Sequence, residues 1–188
     1  AARLIEREKD LVREHEHDTI VHPSVLEAQL AELLPSTTTM VQESSTARTT
    51  LMSLGHQGMG WTRSGGGSLG WGVGAAIGAK IARPDAEVWV VVGDGGFQMT
   101  MAELATIAQE GLDINVAIIN NGYLGMVRQW QEFFYERRYA ATPLSSPDFV
   151  KLAEAFGLTA ARVTDRAGVI PAVQAARANG REVVIAGR

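Results

Sequence analysis

The chain lacks cysteine altogether, so neither a disulfide framework nor a thiolate metal site is available to it. It also lacks any 18-residue apolar stretch or signal peptide, which leaves no basis for a membrane role and makes the cytoplasm the expected location. Charge of one sign is equally scarce. The net charge is −4, with no block of like charges and no basic face, so nucleic-acid binding is unsupported. An acidic cofactor would have to be held locally, by a metal ion and backbone N–H groups. Gly65-Gly66-Gly67 is not followed by Gly-Lys-Ser/Thr, which excludes a Walker P-loop. Nor do the glycines and a downstream acid have the spacing of a nicotinamide-binding Rossmann fingerprint. No internal repeat or low-complexity linker is present. The 188 residues, 46% hydrophobic and 20% charged, suit one globular domain with a full core.

Along the chain the pattern alternates between apolar runs and helical periodicity. Residues 1–21 read as a charged helical segment with a narrow stripe of Leu4, Ile5, Leu11 and Val12. Its His15 and His17 are two apart and do not share a helix face, so they suggest no metal pair. Pro23 suits the first position of a helix carrying Val25, Leu26, Leu30, Leu33 and Leu34, which ends before Pro35. A short strand is expected at 38–42, with Ser44, Ser45 and Thr46 opening the next helix. Gly55 to Gly60 reads as a loop around His56, a residue type more often structural than catalytic in such a setting. The glycines at 65–67 then open a small-residue helix expected over 69–82. Beyond the central region, helix 147–156, strand 159–163, helix 165–178 and strand 182–186 complete the alternation. The class is α/β: a doubly wound, mainly parallel sheet with helices on both faces.

Two loops carry the chemistry. Gly93-Asp94-Gly95 follows Val88-Trp89-Val90-Val91-Val92, and Asn120-Asn121 follows the apolar run 114–119. Short β-branched runs of this kind read as buried parallel strands. Each ends in small or amide residues that let the backbone approach a ligand. Asp94 offers carboxylate oxygens, Asn121 an amide oxygen, and the turn after it backbone carbonyls. Such an all-oxygen set suits Mg²⁺ bound to a diphosphate, at the carboxyl ends of strands where open α/β sheets take their ligands. Taken singly, Gly-Asp-Gly is ordinarily a turn and Asn121-Gly122 a hairpin. However, Leu124, Val127, Trp130, Phe133 and Phe134 recur at helical spacing after the second loop. After the first, Thr100 and Glu103 suggest a capping box before Leu104, Ile107 and Ala108. Two strand-loop-helix units with metal-type oxygens in both loops favour a binding site.

Gly-Asp-Gly, 24 intervening residues and Asn-Asn resemble the diphosphate-binding motif of thiamine diphosphate (ThDP) enzymes, and the likeness runs from about His22 to the C-terminus. The stretch from Gly125-Met126-Val127-Arg128-Gln129-Trp130-Gln131 through Phe134-Tyr135-Glu136-Arg137-Arg138-Tyr139 resembles acetohydroxyacid (acetolactate) synthase catalytic subunits. So does the segment from Pro147-Asp148-Phe149 to Ala155. Glu43-Ser44-Ser45-Thr46 and Gly67-Ser68-Leu69-Gly70-Trp71 are more similar to benzoylformate decarboxylase relatives.

The resemblance implies that residues 22–188 are a ThDP diphosphate-binding domain. It assigns Mg²⁺ to the side chains of Asp94 and Asn121 and the carbonyl of Tyr123. Gly95 and Gly96 would offer N–H groups to the diphosphate, with serine common in the family where Gly96 stands here. Ser45 and Thr46 would add hydroxyls at a helix N-terminus, the competing role being simple capping. Leu69 matches the bulky residue that props the cofactor into its V shape, and the Gly67 carbonyl would accept from the 4′-amino group. Gly93, Leu124, Gly125 and Met126 complete the cofactor-binding set. Trp130 would shape the pocket for a second 2-oxo acid, against the simpler alternative of core packing.

The implied reaction decarboxylates pyruvate and joins it to a second 2-oxo acid. The resemblance also requires a pyrimidine-binding domain, in the same longer polypeptide or in a separate chain, whose glutamate contacts N1′. Glu43 does not qualify for that role because it precedes the diphosphate-side Ser45-Thr46. FAD would enter only through a middle domain outside this sequence. A start at Ala1-Ala2-Arg3 without Met, and an end at Gly187-Arg188, read as cuts in a longer protein or as processed ends. A homo- or hetero-oligomer is expected. Two alternatives stand beside the synthase: the small subunit of a two-chain 2-oxo-acid decarboxylase, and a non-catalytic ThDP-binding or assembly module.

Overall fold

In the computed structural model the described residues are 2–15, 17, 18, 21–45 and 67–187. Five strands form one sheet: β1 (Thr39–Gln42), β2 (Val88–Gly93), β3 (Ile114–Asn120), β4 (Thr159–Val163) and β5 (Glu182–Gly187), in the order β1-β2-β3-β5-β4. All four pairings are parallel. Parallel strands covered on both faces need apolar residues at consecutive positions, and Val88 to Val92 are all buried.

Alternate side chains feed two cores. Met40, Trp89, Val91, Ala117 and Val184 face α2 (Pro23–Leu33) and α8 (Val169–Asn179), while Val41, Val90, Val116 and Ile185 face the other layer. That second layer comprises α3 (Gly72–Ala82), α4 (Asp94–Thr100), α5 (Leu104–Gln109) and α7 (Phe149–Ala155). The α/β class with helices on both faces is therefore observed.

Helix α1 (Ala2–Glu14) contacts α2, and the His15 ring stacks on His22 at 3.9 Å. Pro23 occupies the first turn of α2 as its fixed φ allows, with His22 as N-cap. No helix among the described residues is long and apolar enough to cross a membrane.

Two expected helix starts are wrong. The helix after β2 begins directly at Asp94, with Gly93 at the N-cap position, instead of at Thr100. Thr100 ends α4 and holds the N-cap position of a 3₁₀ turn, Met101–Glu103, that leads into the expected helix of Leu104 and Ile107, but it makes no capping bond, and Glu103 accepts from the Thr106 hydroxyl instead. The helix expected from Leu69 begins at Gly72. Residues 67–71 remain a loop because Gly67 and Gly70 hold φ of 70° and 83°, left-handed values that a right-handed helix cannot use. Likewise, the helix expected over 165–178 divides into a 3₁₀ turn at Arg166–Gly168 and α8. Thr46, His56, Gly65 and Gly66 lie outside the described residues.

Candidate functional site

The register of the sheet brings the ends of β1, β2 and β3 together, Gln42 pairing with Val91 and Gly93 with Ile119. A cleft opens beyond these carboxyl ends, where an open α/β sheet places its ligands. One wall is Gly93 to Gly96, the end of β2 and the first turn of α4. Facing it are Ile119, Asn121 and the segment Tyr123 to Met126, which leads into α6 (Gly125–Phe134). Glu43, Ser44 and Ser45 close the β1 side, and Leu69 overhangs from the loop before α3.

Asp94 is the centre of this arrangement. Its carboxylate is 1% exposed, and Oδ2 accepts from the Gly122 N–H at 3.0 Å and from the Ser146 hydroxyl at 3.1 Å. The first bond spans 28 residues and ties the Gly-Asp-Gly turn to the Asn-Asn loop. Burial pushes the Asp94 carboxyl above the usual carboxylate range, and the hydrogen bonds from Ser146, Gly122 and Gly95 only partly offset it. No ion pair reaches Asp94 among the described residues, so its buried charge is met by neutral donors. A buried carboxylate in that condition either takes up a proton or is paired with a cation.

Asn121 is exposed at the rim, and its Oδ1 accepts from the Tyr123 N–H at 2.9 Å, which curls the loop. No cluster of three His, Cys, Asp or Glu side chains exists among the described residues. Any cation here would rest on one carboxylate with amide and carbonyl oxygens. That hard-oxygen donor set fits Mg²⁺.

A strap missed by sequence reasoning holds the second loop. Leu124 N–H donates to Thr142 O, Leu144 N–H donates to Gly122 O, and Tyr123 bridges Pro143. Four residues later in the same strap, Ser146 meets Asp94 and accepts from Gln98 Nε2 at 3.3 Å. Arg128 stacks over the rings of Tyr123 and Tyr139, its guanidinium carbon 4.1 and 4.7 Å from their centroids. Residues 142–146 follow no helical or strand period, so nothing in their pattern marked them.

The remaining expected residues distribute unevenly. Ser45 and Leu69 line the cleft, whereas Gly67 is exposed at the start of its loop and does not. Met126 lines the cleft too, but Trp130, one turn on, is 52% exposed and outside it. Core packing is therefore not the role of Trp130. Phe133 and Phe134 continue the same exposed apolar face of α6. Glu43, Ser44 and Ile119 line the cleft although the expected site residues omitted them.

The cleft and the parallel sheet are shared with a defined group of proteins. Residues 37–186 match the model of the thiamine pyrophosphate enzyme C-terminal TPP-binding domain, and the chain belongs to that family. Its relatives narrow the comparison. It is 56% identical over 133 residues to the acetolactate synthase of Mycobacterium avium, covering 67% of this chain and 21% of that protein. It is 55% identical over 132 residues to the acetolactate synthase large subunit of Corynebacterium glutamicum, covering 66% and 21% respectively. The chain thus spans about a fifth of the length of these relatives. Among solved structures, the thiamine diphosphate-dependent 4-hydroxybenzoylformate decarboxylase of Rhodococcus jostii RHA1 superposes with a TM-score of 0.82. The match is at 28% identity and covers 90% of this chain and 33% of that one.

Proposed function

We propose that the cleft holds the diphosphate of thiamine diphosphate through Mg²⁺, and that the chain serves an acetolactate-synthase-like enzyme. The single observation that carries this reading is the hydrogen bond from Gly122 to Asp94, which makes one site from two distant loops. When bound, the cofactor supplies the thiazolium carbon at which a 2-oxo acid is decarboxylated. Asp94 and Asn121 hold the metal through side-chain oxygens, and Tyr123 through its carbonyl. The N–H groups of Gly95 and Gly96 lie in the first turn of α4, where unpaired donors favour a bound anion. Ser45 adds a hydroxyl donor from the β1 side, and Thr46, outside the described residues, is proposed as a second hydroxyl donor. Leu69 supports the bend of the cofactor, while Gly67 and Trp130, which lie outside the cleft as formed by the described residues, would meet its amino group and the second 2-oxo acid only in the site completed by a pyrimidine-binding domain. The reaction is decarboxylation of pyruvate followed by its addition to that acid.

A pyrimidine-binding domain, in the same polypeptide or in a partner chain, is required for turnover in this reading. The partly exposed Leu69 in the cleft and the exposed aromatic face of α6 support it, since both leave apolar surface uncovered. The test is pyruvate consumption by the purified chain at saturating ThDP and Mg²⁺, alone and with a pyrimidine-domain chain. Activity only in the mixture supports the divided site. Robust turnover by a verified monomer overturns it. A second reading, a 2-oxo-acid decarboxylase, is favoured by the fold match to the Rhodococcus decarboxylase. Aldehyde in place of acetolactate as product would select it.

A further inference from the structure

Glu43 is a buried carboxylate on the wall of the cleft, and none of the roles above uses it. It sits one residue beyond β1, where its own N–H donates to Val91 O at 2.8 Å and so fixes it to the central sheet. From there the side chain crosses to the loop before α3. Oε1 accepts from the Gly70 N–H, and Oε2 accepts from the Gly72 N–H at 2.5 Å. Both oxygens are thus engaged by backbone donors, one of them in the first turn of α3, where a carboxylate complements the helix dipole.

The slot that receives this carboxylate is made of missing side chains. A Cβ at position 72 would lie 2.6 Å from Oε2 and 3.2 Å from the Glu43 Cβ. A Cβ at position 96 would collide with Oε1 and lie 3.2 Å from Cδ. Gly96 is in the first turn of α4, directly after the Gly-Asp-Gly turn. Glu43 therefore touches three elements: the Gly67-to-Trp71 loop that carries Leu69, the start of α3 and the start of α4. A serine at position 96 would therefore displace the end of the Glu43 side chain from this slot.

We propose that Glu43 is a positioning residue that sets the height of Leu69 over the metal turn, and that Glu43 and Gly96 are interdependent. The carboxylate occupies the space a side chain at 96 would fill, and glycine at 96 is what admits it. The inference rests on the proposed reading of the cleft as the diphosphate site. A negative side chain lining an anion site is tolerated because its two oxygens face the N–H groups of Gly70 and Gly72. The diphosphate is thereby directed across the cleft, toward Gly95 and the metal loop.

The test combines amide hydrogen exchange, thermal melting and calorimetric titration with Mg²⁺ and ThDP on the 188-residue chain. Glu43→Ala should speed exchange at Gly70 and Gly72 by about tenfold or more, the scale of a lost hydrogen bond to a charged acceptor. Gly96→Ser should do the same in the parent background and lower the melting temperature. In the Glu43→Ala background the same serine should cost much less, since only the 3.3 Å approach of its Cβ to a Val92 methyl remains. In the Glu43→Gln background, where the space stays filled, it should again lower the melting temperature, which guards against a Glu43→Ala variant that fails to fold. Equal cost of the serine in all three backgrounds would overturn the interdependence. Unchanged protection of Gly70 and Gly72 in Glu43→Ala would overturn the positioning role. A parent chain that takes up no Mg²⁺ and ThDP counts against the proposed function, while exchange and melting still judge Glu43.

Discussion

Replacing Asp94 by asparagine separates what the residue does for folding from what it does for binding. The side chain keeps its shape but loses its charge. At 1% exposure that charge is shielded from water and meets only neutral donors. An exposed ion pair with a metal would be worth about 0–1 kcal/mol, whereas breaking a buried charge pairing costs about 3–5 kcal/mol. The buried regime applies here, so affinity for Mg²⁺ with ThDP should fall at least about a hundredfold. The unliganded chain should behave oppositely. Burial disfavours the Asp94 carboxylate, so Asp94→Asn should leave its melting temperature unchanged or raise it, as expected where a fold retains a costly group for function. Calorimetric titration with and without Mg²⁺, paired with melting of the unliganded protein, reads both effects. Asn121→Ala serves as the internal scale: an exposed neutral oxygen, worth about 1 kcal/mol. Parent-like affinity in Asp94→Asn, or a loss no greater than in Asn121→Ala, would refute the assignment of Asp94 to the metal.

Gly95→Ala should weaken cofactor binding, because its Cβ would lie 2.8 Å from the tip of Leu124 and 3.2 Å from that of Leu144. Displacing both should cost on the order of 1–3 kcal/mol by melting, whereas Gly93→Ala, with nothing within 4 Å of its Cβ, should match the parent. Trp130→Ala should change stability by less than about 1 kcal/mol, since the ring is half-exposed. In a reconstituted enzyme it should alter the choice between pyruvate and 2-oxobutyrate while sparing cofactor affinity; a large drop in melting temperature would contradict this. His22 should give stability a pH dependence. Burial and then the neighbouring His15 lower its pKa below 6.5, and its Nδ1 caps α2 by accepting from Ser24 N–H at 3.3 Å, which only the unprotonated nitrogen can do. Stability from this group is present above pH 6.5 and is lost as pH falls from there through the lowered value. Melting between pH 8 and 5 should show that decline, and His22→Asn, which keeps a capping oxygen, should flatten it.

Local patterning carried much of this fold. The strand expected at 159–163 is observed with those bounds, and the others agree within a residue at either end. The apolar runs at 88–92 and 114–119 had to be buried on both faces, which already required helices on both sides of a parallel sheet. The two oxygen-rich loops were legible for the same reason: small and amide residues directly after such runs have few other uses. Helix starts were less legible. Thr100 with Glu103 has the composition of a capping box, yet the chain enters a helix already at Asp94, straight from the extended Gly93, and Thr100 precedes only a 3₁₀ turn without a capping bond. The loop at 67–71 was hidden because it runs without a break into the small-residue helix that follows, and only φ at Gly67 and Gly70 separates the two.

From the sequence alone follow the α/β class, the two chemistry-bearing loops and the hard-oxygen character of their donors, because each depends on residues close together in the chain. Tertiary structure alone decided that Gly122 meets Asp94 across 28 residues, that Ser146 reaches the same oxygen across 52, and that Glu43 engages Gly72 across 29. It also turned the aromatic face of α6 outward, although the spacing of Trp130 and Phe133 is the one a buried helix would show. Periodicity records that a face is apolar but not what covers it. That depends on which strands lie side by side and on how far their carboxyl ends project.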